Sequence, residues 1–327
     1  MAIWSGLAKA FSGGEAQPEQ NPLEGVLQVR AYREGMFCGH AAYLLERYLL
    51  PWSLTVLPCA TPPEPGDSRD VPLVVLVDDR PSMLMQFTVL NALLMGRLQM
   101  GMCVYTTRSR LREVKRLLSP LEPWVQVRAL HSDIQSINRS VYNNLLKSVA
   151  FWQDLPARRI LIVQQDALQI APVDACWFDY DYVGAPWTPM RHLSTSFPVY
   201  SPDLLVEMAS RWETVVFSPG LDPAVRSGGN GGLSIRSSEC MGAICEAEAH
   251  DSPDEEPEDV FFASRLPRYA ANLPTLEAAR QFCCESAYSV SIAAHASHLY
   301  LEPQEQALIY ERHLKVVIGL ITAFANR

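Results

Sequence analysis

The chain has 327 residues, of which 48% are hydrophobic and 19% are charged. This composition can bury one large core or two modest ones, and it excludes a collagen, a coiled coil or wholesale disorder. The 27 basic and 36 acidic residues leave a formal net charge of -9. That balance disfavours nucleic acid and anionic membranes as general partners, because either needs a cationic face on the protein.

Cysteine spacing and hydropathy predict the compartment. The eight cysteines show no paired Cys-x-x-Cys spacing, which favours buried thiols in a reducing compartment over zinc ribbons or disulfide frameworks. No apolar segment approaches the ~20 residues of a membrane span, and residues 1–14 lack the apolar core of a signal peptide. We therefore expect a soluble, cytoplasmic protein without a transmembrane segment.

The first seventy residues differ in character from the rest. Their pattern predicts a flexible leader over 12–24, an apolar helix over 34–50 and a loop rich in Pro, Gly and Asp over 61–70. At the other end, an apolar segment is typical of a docked terminal helix. The sequence thus predicts an N-terminal region over 1–70, a catalytic domain over 71–301 and a helical tail over 302–327.

From Val71 onwards, predicted strands and helices alternate. The strands are predicted at 71–77, 102–106, 124–130 and 160–165, and the helices at 81–98, 109–118 and 138–152. Alternation with short connections favours right-handed parallel crossovers, and hence a mostly parallel sheet with helices on both faces. We expect an α/β, Rossmann-like first half.

The rhythm changes after Asp166. An aromatic-rich stretch over 179–187 precedes a predicted helix over 201–212, a glycine cluster over 228–232 and a short strand over 233–235. Irregular chain beyond a parallel half is where acceptor specificity is usually built. We therefore expect one domain with two unlike halves.

Asp166 and the glycine cluster are the first candidate site features. Asp166 follows an apolar run, so its carboxylate is delivered to the sheet edge where open α/β folds bind ligands. Such a residue can equally cap a following turn. The glycines around Asn230 permit positive φ and the close backbone approach that a bulky ligand needs, or else form a hairpin or bulge turn. They match neither a Walker loop nor a dinucleotide fingerprint.

An acidic pair and a late histidine complete the set. Glu258 and Asp259 follow Pro257 and open a predicted helix, where carboxylates complement the helix dipole and can be no more than a solvated helix start. His295 lies among small residues, and an isolated histidine of this kind is either structural or a ligand. The order in which these features occur together favours function.

Five segments resemble a family of largely uncharacterised domains related to GT-A glycosyltransferases. They are Gln164 to Asp166, Asp181 to Trp187, Gly229 to Ser234, Pro257 to Phe262, and the late His295. The resemblance covers about residues 71–301. It implies a GT-A-like fold, a nucleotide-sugar donor, a glycan or other hydroxyl acceptor, and Mn²⁺ or Mg²⁺ as cofactor.

The resemblance also implies roles for individual residues. Asp166 stands at the last place of the DxD metal motif, and His295 matches the late metal-ligand histidine. The donor-side loop is formed by Gly229, Asn230, Gly231 and Gly232. Glu258 and Asp259 match the catalytic xED motif, in which the second acidic residue is the base of inverting members.

One departure from the family pattern concerns the metal. Gln164 replaces the first carboxylate of the DxD motif. A glutamine can hydrogen-bond a ribose hydroxyl on the donor but brings no charge. The metal is therefore expected to bind more weakly, or metal dependence to be lost.

Four further side chains are donor-side or acceptor-side candidates. Asp78 and Arg80 follow the first predicted strand and could meet the nucleotide base or phosphate, although surface solvation explains them equally well. Tyr182 and Trp187 offer flat faces to an acceptor sugar, and burial in the core is the alternative.

The leading interpretation is a metal-dependent, inverting glycosyltransferase. One alternative is a catalytically silent nucleotide- or glycan-binding module, which Gln164 favours and the Glu258–Asp259 pair disfavours. Another is a metal-dependent hydrolase or nucleotidyltransferase that uses the same carboxylates, because Rossmann-like topology alone does not separate these classes.

Overall fold

The computed structural model describes residues 22–63, 69–131, 133–187, 229–252 and 256–326. The predicted helix over 201–212 and most of the predicted leader over 12–24 lie outside the described residues, as does Gly228 of the glycine cluster.

The described residues form nine strands. They are β1 (Leu73–Val77), β2 (Gly101–Thr106), β3 (Val125–Ala129), β4 (Arg159–Val163), β5 (Ala167–Gln169), β6 (Tyr182–Ala185), β7 (Asn230–Ser237), β8 (Cys283–Cys284) and β9 (Ala293–His295). Six of them make a central sheet in the order β3-β2-β1-β4-β7-β6. The first four run parallel, whereas β7 is antiparallel to both of its neighbours. The prediction of a Rossmann-like, mostly parallel sheet is confirmed.

The α-helices cover both faces of this sheet. They are α1 (Pro22–Leu44), α2 (Leu50–Val56), α3 (Met83–Met95), α4 (Leu111–Leu118), α5 (Arg139–Leu146), α6 (Val149–Asp154), α7 (Ser238–Glu248), α8 (Glu258–Arg265), α9 (Leu276–Phe282), α10 (Ser297–Tyr300) and α11 (Pro303–Ala325). Several of these helices begin at an N-cap residue whose side chain accepts a hydrogen bond from a backbone amide of the first turn. Ser82 accepts a hydrogen bond from the Met85 amide at α3, and Asn138 accepts one from Val141 at α5.

The two layers explain why the predicted strands read as continuous apolar runs. In β1, Val74 and Leu76 pack into a core shared with α1, α3, α4 and α11. The alternate residues Val75 and Val77 pack into a second core shared with α6, α7 and α8. Since successive side chains of a strand point to opposite faces, a strand covered on both sides must be apolar at every position.

A second, three-stranded sheet in the order β5-β9-β8 lies at the end of β4. In it Ala167 pairs antiparallel with His295, and β8 runs parallel to β9. This small sheet begins one residue after Asp166, so it brings the late histidine back to the end of β4.

Two predicted helices have different bounds in the structure. The prediction of a single helix over 138–152 is wrong, because α5 ends at Leu146 and α6 begins at Val149. Lys147 and Ser148 interrupt the helix. The break lets the indole of Trp152 donate to the Leu146 carbonyl at 2.6 Å, while the Lys147 ammonium reaches the hydroxyl of Ser252 at 3.0 Å. The helix predicted over 34–50 begins earlier, at Pro22, and continues through a π-helical turn into α2.

The terminal helices α1 and α11 pack on the face of the central sheet that α3 also covers. His40 of α1 lies 3.1 Å from His313 of α11, whose other ring nitrogen lies 2.9 Å from the side-chain oxygen of Asn91 in α3. The Asn91 amide nitrogen donates to the Gln169 carbonyl of β5 at 3.1 Å.

The division into 1–70, 71–301 and 302–327 stays a prediction. Within the described ranges, no helix combines the length and the apolarity needed to cross a membrane.

Candidate active site

The predicted site residues meet at one edge of the central sheet. Because β7 runs antiparallel to β4, the start of β7 lies beside the end of β4. The Gln164 amide donates to the Gly232 carbonyl at 2.9 Å, and the Ala296 amide donates to the Asp166 carbonyl at 3.0 Å. Strand pairing alone therefore joins three segments that lie far apart in the sequence.

Asp166, Gln164 and His295 face one another. The Nε2 atom of His295 lies 3.4 Å from Oδ1 of Asp166 and 3.2 Å from Oε1 of Gln164. Burial opposes the charged form of both ionisable groups, yet their mutual attraction lowers the pKa of Asp166 to about 2 and raises the pKa of His295 to about 10. The two therefore form an ion pair.

Glu285 holds the other side of the His295 ring. Its Oε1 atom lies 3.2 Å from Nδ1 of His295, and the residue is 2% exposed. A carboxylate on one imidazole nitrogen fixes the ring orientation and leaves the other nitrogen to face a ligand. Sequence reasoning missed this residue, because the two-residue strand that precedes it carries no periodic signal.

Residues 229–232, at the start of β7 and called the glycine turn below, make room for the protein's own side chains. A Cβ atom on Gly232 would stand 2.0 Å from Nε2 of His295, and one on Gly231 would stand 2.2 Å from Oε1 of Glu258. Gly229 has φ of +84°, and its Cβ would stand 2.5 Å from the Ala185 carbonyl oxygen. The approach of a ligand to these glycines stays a prediction, because the groups that lie against them are groups of the chain itself.

Asp259 borders the same turn at the start of α8. Its Oδ2 atom accepts hydrogen bonds from the Asn230 amide group at 3.2 Å and from the Gly231 backbone at 3.3 Å. Burial, and then the negative charge of Glu258, raise the pKa of Asp259 to about 6, against the opposing effect of Arg236. A carboxylate that titrates this close to neutrality is suited to accept a proton.

Glu258 has a different environment from its neighbour. It makes a bidentate ion pair with Arg236, with Nη1–Oε2 of 2.5 Å and Nη2–Oε1 of 2.8 Å. Arg236 is fully buried, and its guanidinium lies 4.7 Å from the ring centre of Tyr182 and also contacts the Gly231 carbonyl at 3.3 Å. This buried pair fixes the turn and the start of α8, so it positions Asp259. The charge of Arg236 inside an apolar strand was the signal that sequence reasoning passed over.

The remaining candidates divide into an edge pair and two buried rings. Asp78 is anchored to Arg80 through the arginine Nε and Nη2 atoms at 3.0 and 2.5 Å, and the Arg80 side chain is 72% exposed and interacts electrostatically with Asp166. Tyr182 is fully buried and donates to the Gly229 carbonyl at 3.1 Å, while Trp187 is 5% exposed. Arg80 is thus available to an anion, whereas the two rings belong to the core.

The donor set at His295 fits a divalent cation that is completed by ligand oxygens. Asp166 and Gln164 supply oxygens that lie 3.4 and 3.2 Å from the Nε2 nitrogen of His295. Oxygen and imidazole donors suit Mn²⁺, and carboxylate and carbonyl oxygens suit Mg²⁺. Among the described residues, no group of three or more His, Cys, Asp or Glu side chains could hold a metal ion.

Comparison with known proteins gives one matching family model and several solved structures of low sequence identity. The family model described as protein of unknown function (DUF5672) matches residues 125–299, which is more than half of the chain. No curated protein matches.

Three of the similar solved structures are glycosyltransferases by name. The apo-form glycosyltransferase GlyE of Streptococcus pneumoniae TIGR4 is 9% identical with a TM-score of 0.40, and the match covers 78% of this chain and 63% of GlyE, less than two thirds of its length. Mouse xyloside xylosyltransferase 1 is 14% identical with a TM-score of 0.34, covering 62% of this chain and 82% of that one. The mannosyltransferase PcManGT of Pyrobaculum calidifontis, in complex with GDP-Man and Mn²⁺, is 11% identical with a TM-score of 0.35, covering 91% and 85%. Similarity at this level does not assign a function.

Proposed function

We propose that the chain, which belongs to the family of proteins of unknown function DUF5672, is a glycosyltransferase that moves a sugar from a nucleotide-sugar donor to an acceptor hydroxyl. The observation that carries the proposal is the glycine turn at the start of β7. The Gly231 amide donates to Asp259 and the next residue, Gly232, lies against His295, so a proton acceptor and a cation-binding group border adjacent residues.

The donor side of the site is suited to a diphosphate. Asp166, His295 and Gln164 would hold Mn²⁺ or Mg²⁺, which supplies Lewis-acid stabilisation of the leaving diphosphate when it is bound. The exposed guanidinium of Arg80 adds a positive charge near Asp166 and is held in place by Asp78. A fixed cation beside the phosphates stabilises the charge that develops as the sugar–phosphate bond breaks.

The acceptor side of the site needs a base, and Asp259 fills that role. The acceptor hydroxyl passes its proton to the Asp259 carboxylate as its oxygen forms the bond to the anomeric carbon. The electron pair of the sugar–phosphate bond leaves with the diphosphate. A single displacement of this kind inverts the anomeric centre. Glu258, held by Arg236, acts as a positioning residue because it touches the turn and not the reacting atoms.

A second candidate is a nucleotide- or glycan-binding module without turnover. Gln164 favours it, because the amide replaces a carboxylate at the metal position. The raised pKa of Asp259 disfavours it, since a binder has no need of a carboxylate that accepts protons near neutral pH.

Thermal unfolding with a panel of UDP-, GDP- and TDP-sugars, each with and without Mn²⁺, tests the proposal. A ligand that binds the native state raises Tm by mass action. At a concentration 100 times Kd, it raises the free energy of unfolding by about 2.7 kcal/mol. We expect one donor class to raise Tm, and more so with Mn²⁺. The Asp166→Ala variant should lose most of the Mn²⁺-dependent part, whereas Asp251→Ala, which removes a 79% exposed carboxylate, should not. Absence of a shift with every donor would contradict the proposal.

A further inference from the structure

The N-terminal helix α1 lies against the histidine end of the site, although it precedes the segment 125–299 matched by the family. Phe37 of α1 stacks on the ring of His298 in α10, with ring centres 4.5 Å apart and planes at 17°. The guanidinium of Arg33 donates to the Leu299 carbonyl at 2.7 Å. Two contacts from α1 therefore fix the short helix that directly follows His295.

The backbone between the two histidines turns sharply. Ala296 adopts φ of +46°, a left-handed conformation that costs a residue with a side chain roughly 1–2 kcal/mol. Its amide donates to the Asp166 carbonyl at 3.0 Å. The turn places His298 as well as His295 within electrostatic range of Asp166.

His298 has an unusual environment for a polar side chain. It is 5% exposed, and its Nδ1 atom is buried without a hydrogen-bond partner among the described residues. Burial lowers its pKa to about 4, so the ring is neutral at pH 7. Most buried polar atoms in native proteins are paired, so an orphan of this kind beside a candidate cation site needs an explanation.

We propose that His298 is a further binding residue of this site, whose ring donates one hydrogen bond to a phosphate oxygen of a nucleoside diphosphate, and that Phe37 positions it. The inference rests on the proposed function. A neutral imidazole suits this place, because it offers a donor to the anion without adding a second positive charge that would repel a divalent cation. Helix α1 is thereby part of the donor site.

Calorimetry on the full-length chain tests the inference, with Mn²⁺ present. The probes are UDP, GDP and TDP, each compared with its nucleoside, uridine, guanosine or thymidine. One hydrogen bond to a charged group corresponds to about a 10- to 100-fold change in Kd. We expect His298→Ala to weaken diphosphate binding by that factor and to leave nucleoside binding unchanged. His298→Gln, which retains a donor of similar reach, should recover part of the loss.

Phe37 and a surface histidine provide the matched variants. Phe37→Ala should weaken diphosphate binding selectively, but by a smaller factor than His298→Ala. Phe37→Tyr should bind diphosphate like wild type, because the tyrosine ring can stack on His298 equally well. His250→Ala, at a side chain 69% exposed, should have no effect.

Each result decides the inference. If wild type binds a diphosphate and both His298 variants bind it equally well, the inference fails while the proposed function stands. Equal losses for diphosphate and nucleoside would indicate general disturbance of the fold and would also overturn it. If the wild type binds none of UDP, GDP and TDP, the proposed function fails and takes the inference with it.

Discussion

Replacing Gly232 by alanine tests whether the glycine turn exists to admit the His295 ring. The added Cβ would stand 2.0 Å from Nε2 and 2.4 Å from Cδ2 and Cε1 of the ring. Ordinary van der Waals contact begins at 3.4 Å, so the ring or the strand must move by about 1.4 Å. Overpacking of this kind costs about 1–3 kcal/mol. The same movement separates Nε2 from Asp166 and Gln164, and a misplacement of about 1 Å can cost on the order of 10²-fold in function.

The assay combines urea unfolding with the Mn²⁺-dependent Tm shift produced by a bound donor. Gly232→Ala should lower the free energy of unfolding by about 1–3 kcal/mol and abolish the Mn²⁺-dependent shift. The matched control is Gly319→Ala in α11, where an added Cβ meets nothing within 4 Å. That variant should be about 1 kcal/mol more stable, because alanine is the better helix former. If Gly232→Ala unfolds and binds like wild type, the steric reasoning is refuted.

Two further predictions concern stability. Glu258→Ala leaves the Arg236 guanidinium buried and unpaired, so the free energy of unfolding should fall by about 3–5 kcal/mol in urea titration. The double variant with Arg236→Met should recover part of that loss, and a fall below about 1 kcal/mol for Glu258→Ala would count against a buried ion pair. His40 has its pKa lowered by burial from 6.5 to about 4, so the unfolded chain binds its proton first as the pH falls. Stability should therefore decline between pH 6.5 and 4, with His40 contributing about 3 kcal/mol. His40→Gln should flatten this part of the profile in pH-dependent unfolding, and an unchanged slope would contradict the assignment.

The sequence predicted the parallel half of the fold well, because its signal is local. Strand β1 was predicted over 71–77 and spans Leu73–Val77, since a strand buried on both faces must be apolar throughout. The break between α5 and α6 was not predictable, because the Lys147 side chain that occupies it binds Ser252, more than a hundred residues away.

The candidate site was predicted in outline, and its support was missed. Asp166, His295 and the glycine turn were found because they occur together in one order that resembles a family pattern, although each alone is ambiguous. Glu285 and the pairing of β9 with β5 were missed, because strands of two or three residues carry no periodic signal. The antiparallel direction of β7 has no sequence signal either, and it is this direction that brings Gly232 to the end of β4.

Steric and electrostatic partners explain residues that the sequence left ambiguous. Glu258 and Asp259 are adjacent in sequence, yet one is paired with Arg236 and the other is raised in pKa to about 6. Arg236, 22 residues before Glu258 on β7, pairs with Glu258, whereas burial and the charge of Glu258 raise the pKa of Asp259. Chemistry that depends on such a partner is set by the fold and not by the motif.

Release of nucleoside diphosphate in the presence of an acceptor mixture tests the central claim most directly. Wild type and Asp259→Asn are compared at equal donor saturation, because the amide fills the same space and can still accept from Asn230 and Gly231 through its oxygen. The account predicts unchanged donor binding, turnover lower by about 10²- to 10⁴-fold, and wild-type turnover that rises with pH through about 6 as Asp259 ionises. Equal turnover by the two proteins would contradict the account.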